Sequence, residues 1–474
     1  MIIKVKTITA LGLASLFIGC SMAPPLVKPE IPIAKSYKET APWMLAQPAD
    51  ELPRGAWWKL YDNAELNALE ERLLTNSPNL AAAYARYAQA EAYTLQLRSG
   101  LFPSLTGTSS AQHNRQSDMR PLRNAAGQSE YNAYSIGVQA SYEIDLWSRV
   151  RNLVASGVAT EQAGKADLES TRLSLQAELA YNYIALRGID QQIGLLRNTV
   201  TAYRKTLDLT KLRHDGGIAP GLDVARAQTQ FDMAQSLVEQ ALAQRALAEH
   251  AIAALVGASV SEFSITPRQE EIVMPSIPIG LPSALLQRRP DIAAAERRMA
   301  AVNASVGVAN AAFFPDLTLS GVLGYQSSSA GKWITAPNIF WAIGPAIVLN
   351  LFDGGKRRAQ VSEAQAVLDE ASAQYRGVAI RAFQQVEDNL GLINHFNLAS
   401  KSQHSALVAA KQSLDFAQSR YQEGAASYLE VTASQTVALE TERGLLDLNT
   451  RILQSSVQLI RALGGGWSLE KYFP

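Results

Sequence analysis

The side chains able to do chemistry are sparse and poorly spaced for catalysis. His113, His214, His250, His395 and His404 are the five histidines. None stands at His-x3-His or His-Glu-x-x-His spacing, which would put ligands on one helix face to grip a metal. Gly-x-Gly-x-x-Gly, the phosphate-cradling loop and the Gly-x-Ser-x-Gly nucleophile elbow are all missing. Gly464-Gly465-Gly466 follows a helical seam and reads as a helix stop. Asp and Glu are scattered over helical faces, with no pair converging for acid–base work. Cys20 is the lone thiol, so neither an intrachain disulfide nor a cysteine-rich zinc site is available. The sequence therefore predicts no enzyme, no metal and no cofactor.

Cys20 has another use. Lys4 and Lys6 precede an apolar stretch from Ile8 to Ile18 that meets Gly19 and then the cysteine, the pattern of a secretory signal. The run Leu16-Phe17-Ile18-Gly19-Cys20 resembles a lipobox, with Phe17 where Leu is commoner. Residues 1–19 are expected to be a lipoprotein signal peptide, and Cys20 to carry a covalent diacylglycerol and an N-acyl chain. Acyl chains on that scale hold a protein stably at a bilayer, and they consume its only thiol.

Composition narrows the class further. The 474 residues carry 43 Lys+Arg against 43 Asp+Glu, so the basic excess that marks a nucleic-acid binder is absent. Hydrophobic residues make up 47% and charged residues 18%. No apolar run reaches the ~18 residues of a membrane helix, which excludes a polytopic helical membrane protein.

Seven prolines between Pro24 and Pro53 make residues 20–56 an extended arm, either wrapped over the body or a tether. Proline is then absent between Pro121 and Pro220, and again between Pro345 and Pro474, so both stretches suit long helices. An internal repeat organises the rest. Leu73-Leu74-Thr75-Asn76-Ser77-Pro78-Asn79-Leu80 answers Leu285-Leu286-Gln287-Arg288-Arg289-Pro290-Asp291-Ile292, and Phe102-Pro103 answers Phe314-Pro315, 212 residues on. Gly217 and Leu222-Asp223-Val224 answer Gly424 and Leu429-Glu430-Val431, now 207 residues on. Residues 57–265 and 266–474 read as duplicated halves, each with a short helix, two strands and a long helix pair. Leu179, Asn182, Leu186, Ile189, Ile193, Leu196, Val200, Tyr203 and Leu207 form a heptad seam. The helix from about Arg149 to His214 would be about 98 Å long. Leu407, Ala410, Leu414, Ala417 and Tyr421 repeat the seam.

Between the helices the period changes from 3.6 to 2. Tyr134 to Leu146 and Leu317 to Tyr325 alternate apolar and polar residues. A third strand presents Ile339, Trp341, Ile343, Ile347, Leu349 and Leu351, and a fourth runs through Leu105, Gly107 and Ser109. Alternating runs of about ten residues suit a transmembrane strand, although a strand on a soluble core would alternate too. Four strands cannot close a barrel and lipid tolerates no open edge, so the membrane reading demands several chains in one barrel. Three chains give twelve strands and a lumen wide enough for water.

Leu285-Leu286-Gln287-Arg288-Arg289-Pro290-Asp291-Ile292, continuing through Gly307-Val308-Ala309 to Phe313-Phe314-Pro315, resembles the hallmark of the TolC-like outer-membrane factors. Within them it is closest to the OprM/NodT lipoprotein branch serving RND-type efflux systems. Trp341-Ala342-Ile343-Gly344-Pro345 and Leu351-Phe352-Asp353-Gly354-Gly355-Lys356 look like that branch too. The resemblance implies an α+β membrane protein: a homotrimer with a shared twelve-stranded barrel, a long helical periplasmic barrel and a mixed equatorial region. It implies a passive duct for small molecules, coupled through a periplasmic adaptor to an inner-membrane RND-type pump. Ser21 after the lipidated cysteine favours the outer membrane. The turns at Gly217 and Gly424 match the periplasmic tips and adaptor contacts. Asp223 and Tyr421 match positions where a helix-to-helix hydrogen bond holds the aperture shut, and Glu430 matches an acidic position lining the constriction. Ala426 and Ala433 stand where family members carry an arginine lock and a second acidic ring residue. A duct for secreted polypeptides and a pore-less periplasmic coiled-coil lipoprotein are the alternative readings.

Overall fold

The structure is a computed structural model and describes residues 21–34, 36–39, 56–119, 129–277, 288–331 and 333–465. Cys20, the signal segment and most of the arm from 40 to 55 lie outside the described residues.

In chain order, a 3-10 turn at Trp57–Tyr61 leads to helices α1 (Ala64–Asn76) and α2 (Pro78–Ser99). Strands β1 (Ser104–Arg115) and β2 (Glu130–Glu143) precede the long pair α3 (Arg149–Asp215) and α4 (Gly221–Leu255). The second half supplies α5 (Pro290–Ala311), β3 (Asp316–Ser327), β4 (Ile339–Val348), α6 (Lys356–Gln422) and α7 (Tyr428–Ala462). Corresponding helices have equal lengths: α2 and α5 are 22 residues, α3 and α6 are 67, α4 and α7 are 35. Pro78 and Pro290 open their helices at the position where a missing N–H costs nothing. Among the described residues no helix is long and apolar enough to cross a membrane.

The chain forms two compact units. One comprises the N-terminal segment to Pro29, Tyr87–Gly164 and Ala295–Tyr375; the other comprises Glu30–Arg86, Lys165–Ala294 and the chain from Arg376 onward.

The first unit holds a four-stranded antiparallel sheet in the order β1-β2-β3-β4. Its register places the alternating residues in rows on a single face. Leu105, Ala140, Gly321 and Ile343 form one row; Gly107, Val138, Leu323 and Trp341 the next; Ser109, Ile136, Tyr325 and Ile339 the third. The other face carries Thr106, Thr108, Ser110, Ser135, Gln139 and Gln326. Trp341 and Ile343 are 70% exposed and Ile347 71%, so the apolar face of β4 is uncovered among the described residues. Four expected positions fall elsewhere. Leu349 and Leu351 follow the end of β4, and Ile144 and Leu146 follow β2, although the Ile144 N–H still bonds the Leu317 carbonyl at 2.8 Å. In the same unit the start of the arm, residues 21–29, is fastened to α5. Asn310 and Asn303 donate to the carbonyls of Met22 and Pro24 at 3.0 and 2.9 Å, and Lys28 pairs with Glu296 at 2.8 Å.

The second unit contains the main hydrophobic core, where Trp57, Leu66, Leu73, Leu179, Tyr183, Ile184, Leu186, Ile252 and Leu459 are almost wholly buried. Each such side chain contributes about 1.5–3 kcal/mol by leaving water. Arg289, from the Arg-Arg-Pro-Asp run, is buried there. It grips Asp291 with two bonds at 3.0 and 2.6 Å, donates to the Ala462 carbonyl at 2.9 Å and reaches Gln385 at 2.9 Å. It thereby ties the start of α5 to the last turn of α7, which gives the motif an architectural role.

Candidate functional site

Each long helix must end and reverse. Gly217 and Gly424 adopt φ of +73° and +77°, a left-handed conformation that a side chain would strain. After α3, Ile218 N–H bonds the Arg213 carbonyl and Gly217 N–H the His214 carbonyl, both at 2.8 Å. After α6, Ala425 N–H bonds the Arg420 carbonyl at 2.8 Å and Gly424 N–H the Tyr421 carbonyl at 3.1 Å. These paired bonds are the Schellman ending, made twice with glycine in the same place.

Beside the two turns the helix ends converge on a small core. It contains Tyr203 and Leu207 of α3, Ala227 and Phe231 of α4, Ala417 and Tyr421 of α6, and Tyr428 and Val431 of α7. The Tyr421 and Tyr428 rings lie 5.3 Å apart at 59°. Burial pushes the Tyr203 phenol up to about 12. Tyr428 is raised as well, first by burial and then by nearby Tyr421, Tyr203 and Asp223, so both phenols stay protonated at neutral pH.

The residues singled out in the sequence sit around this core in different settings. Asp223 is buried in the first turn of α4, 3.7 Å from Arg226. Glu430 is in the first turn of α7, exposed, and 3.4 Å from Arg420. Both places also suit an acidic side chain simply because the helix N-terminus is electropositive. Tyr421 is buried, but its hydroxyl has no hydrogen-bond partner among the described residues. The bond to Asp223 that the resemblance implies is therefore not made within one chain. The Tyr421 ring instead lies under a guanidinium, with Arg213 Cζ 4.9 Å from its centroid. Tyr428, buried at the centre, and Arg213 were missed in the sequence. The 207-residue offset held a signal for the arginine, since Arg213 and Arg420 occupy the same place in the two turns.

A sheet with one apolar and one polar face, two edges unpaired among the described residues, and two helical hairpins of matched length define a membrane β-sheet protein with a helical body. The family model described as Outer membrane efflux protein matches residues 69–258 and 281–465, and the chain belongs to that family. It is an outer-membrane protein that serves as an efflux duct. The chain is 30% identical over 465 residues to Outer membrane protein OprJ of Pseudomonas aeruginosa, covering 97% of this chain and 96% of that protein. It is 29% identical over 467 residues to the probable efflux pump outer membrane protein TtgC of Pseudomonas putida, covering 98% and 96%. Among solved structures, the outer-membrane channel OprN superposes with a TM-score of 0.88 at 29% identity, over 94% of this chain and all of that one.

Proposed function

We propose that three copies of the chain close one twelve-stranded barrel in the outer membrane, continued in the periplasm by a helical barrel with a mixed equatorial region. The assembly is the exit duct of a tripartite efflux system. The observation that carries this reading is the sheet, whose continuous apolar face is bounded by two edges without partners among the described residues. Lipid offers edge peptide groups no water to bond. Pairing β4 of one copy with β1 of the next satisfies every edge at once and leaves the polar face around a wet lumen. The equal lengths of the paired helices support two duplicated halves, 57–265 and 266–474, joined end to end.

In this reading the turns at Gly217 and Gly424 are the contacts for a periplasmic adaptor that connects to an inner-membrane RND-type pump. Asp223, Tyr421 and Glu430 line the gate. TtgC's description as part of an efflux pump supports such partners. Cys20 carries the diacylglycerol and N-acyl lipids. Ser21 hydrogen-bonds Asn152 at 3.1 Å, four positions into α3 and soon after the sheet, which suits an anchor held near the bilayer.

Reconstitution in a planar bilayer is the test. The purified trimer should give discrete conductance steps, and a lone subunit without steps would end the duct reading. Glu430→Gln should lower cation selectivity, since three carboxylates around one aperture attract cations. Unchanged selectivity would remove Glu430 from the gate.

A further inference from the structure

The two turns present the same arginine twice and bond it differently. Arg420 is satisfied within its own hairpin, by the Ala425 carbonyl at 3.2 Å and by Glu430. Arg213 reaches out of its hairpin. From the last turn of α3 its Nη1 donates to the Tyr421 carbonyl at 2.8 Å, and Nη2 lies 3.5 Å from the Gln422 carbonyl, the final residue of α6. The same guanidinium plane covers the Tyr421 ring.

We propose that Arg213 is the tie that fastens the two hairpin tips of one chain together in the closed duct, and that it must release for the aperture to widen. The inference rests on the duct reading above. Three physical terms act at one group. The carbonyls at a helix C-terminus carry partial negative charge and lack helical partners, so a cation there is favoured. A hydrogen bond from a charged donor is stronger than a neutral one. The flat guanidinium also attracts the electron-rich ring face, a contact that a lysine ammonium cannot reproduce with the same plane and fork. The tie grips main-chain oxygen and ring, so the unbonded Tyr421 hydroxyl does not weaken it. It links α3 to α6, whereas the Arg420 contacts link nothing beyond α6, its turn and α7. In a trimer the tie occurs three times, and small biases per chain multiply in the state of the whole aperture.

The experiment compares wild type, Arg213→Lys, Arg213→Ala and Arg420→Ala as full-length trimers in planar bilayers, with the temperature of heat dissociation read alongside. Arg213→Ala is expected to raise conductance several-fold while the trimer dissociates at the wild-type temperature. Arg213→Lys, which keeps a donor and a charge, should fall between, and Arg420→Ala should stay near wild type. Conductance of Arg213→Ala equal to wild type, or an equal rise in Arg420→Ala, overturns the proposal. If the alanine variant fails to assemble, Arg213→Lys at the wild-type conductance overturns it as well. A wild-type trimer without discrete steps sinks the duct reading itself, and this inference with it.

Discussion

The two halves have helices of the same length, yet they hold the non-repeated chain by different chemistry. In the first half Asp190 is buried between two arginines, accepting from Arg187 Nη1 and Arg245 Nε at 2.7 Å each. The network extends to Glu65 and Glu249 and to the segment that links the halves. Arg245 and Arg187 donate to the carbonyls of Ile265 and Thr266 at 2.5 and 3.0 Å, and Arg268 N–H bonds Asp190 at 3.3 Å. The positions 207 residues later are Asn394, Asn397, Ile452 and Ser456, all uncharged. There the N-terminal arm takes the corresponding place. Glu387 accepts the N–H groups of Lys38 and Glu39 at 2.7 and 3.1 Å, Asn394 donates to the Glu39 carbonyl at 3.1 Å, and Tyr61 bonds Ser456 at 2.6 Å. A repeated backbone tolerates either solution. What differs is the strap each half must hold, and the side chains follow the strap.

Removing the centre of the charged network tests this most severely. Asp190→Ala leaves two buried guanidiniums facing each other and should cost about 3–5 kcal/mol. It should lower the heat-dissociation temperature and speed trypsin cleavage at Arg268, whereas Asn397→Ala, an exposed position, should change neither. Equal behaviour of the two variants would erase the contrast between the halves.

Glu70 sharpens the contrast within the first half, because its carboxylate oxygens are buried without any hydrogen-bond partner among the described residues, and burial holds its pKa well above the usual range. An acid raised on folding favours the protonated native state. Its penalty is absent below the ordinary carboxylate pKa of about 4.3 and grows as pH climbs toward the native value. Glu70→Gln should therefore match wild type near pH 4 and be more stable by about 1–3 kcal/mol at neutral pH. A gap independent of pH would show that Glu70 has a partner in the assembled protein. The smallest effect is expected from Tyr61→Phe, about 1 kcal/mol for one buried hydrogen bond, measurable as a modest drop in dissociation temperature and absent in a Ser456→Ala background.

Much of this architecture was legible because periodicity reports burial. Period-two runs located all four strands, and the register puts the expected residues of Leu105, Val138, Leu323 and Trp341 type on one face. The ends were less legible. Alternation continues through Leu146 and Leu351 after the ladder has stopped, since apolar spacing persists where hydrogen bonding does not. The heptad seam located α3 but hid its polar interior. Between Leu179 and Leu186 the buried stripe broadens to include Tyr183 and Ile184, and then Arg187 and Asp190. Arg245 of α4 gave no local signal, because its partners lie 55 residues away at Asp190 and 20 away at Ile265. The two helix turns show the same limit. Gly217 and Gly424 announce themselves through backbone conformation, a local property. The contact of Arg213 with Tyr421 spans 208 residues and exists only once two hairpins have met.

The unpaired margins of the four-stranded sheet bear on biogenesis. If three chains share one barrel as proposed, a newly exported subunit that entered the bilayer alone would strand two rows of amides in hydrocarbon, so insertion would wait until its sisters arrive. Delivery should consequently depend steeply on subunit density at the membrane surface, and a leash that confines each copy to two dimensions would speed that encounter before any pore exists.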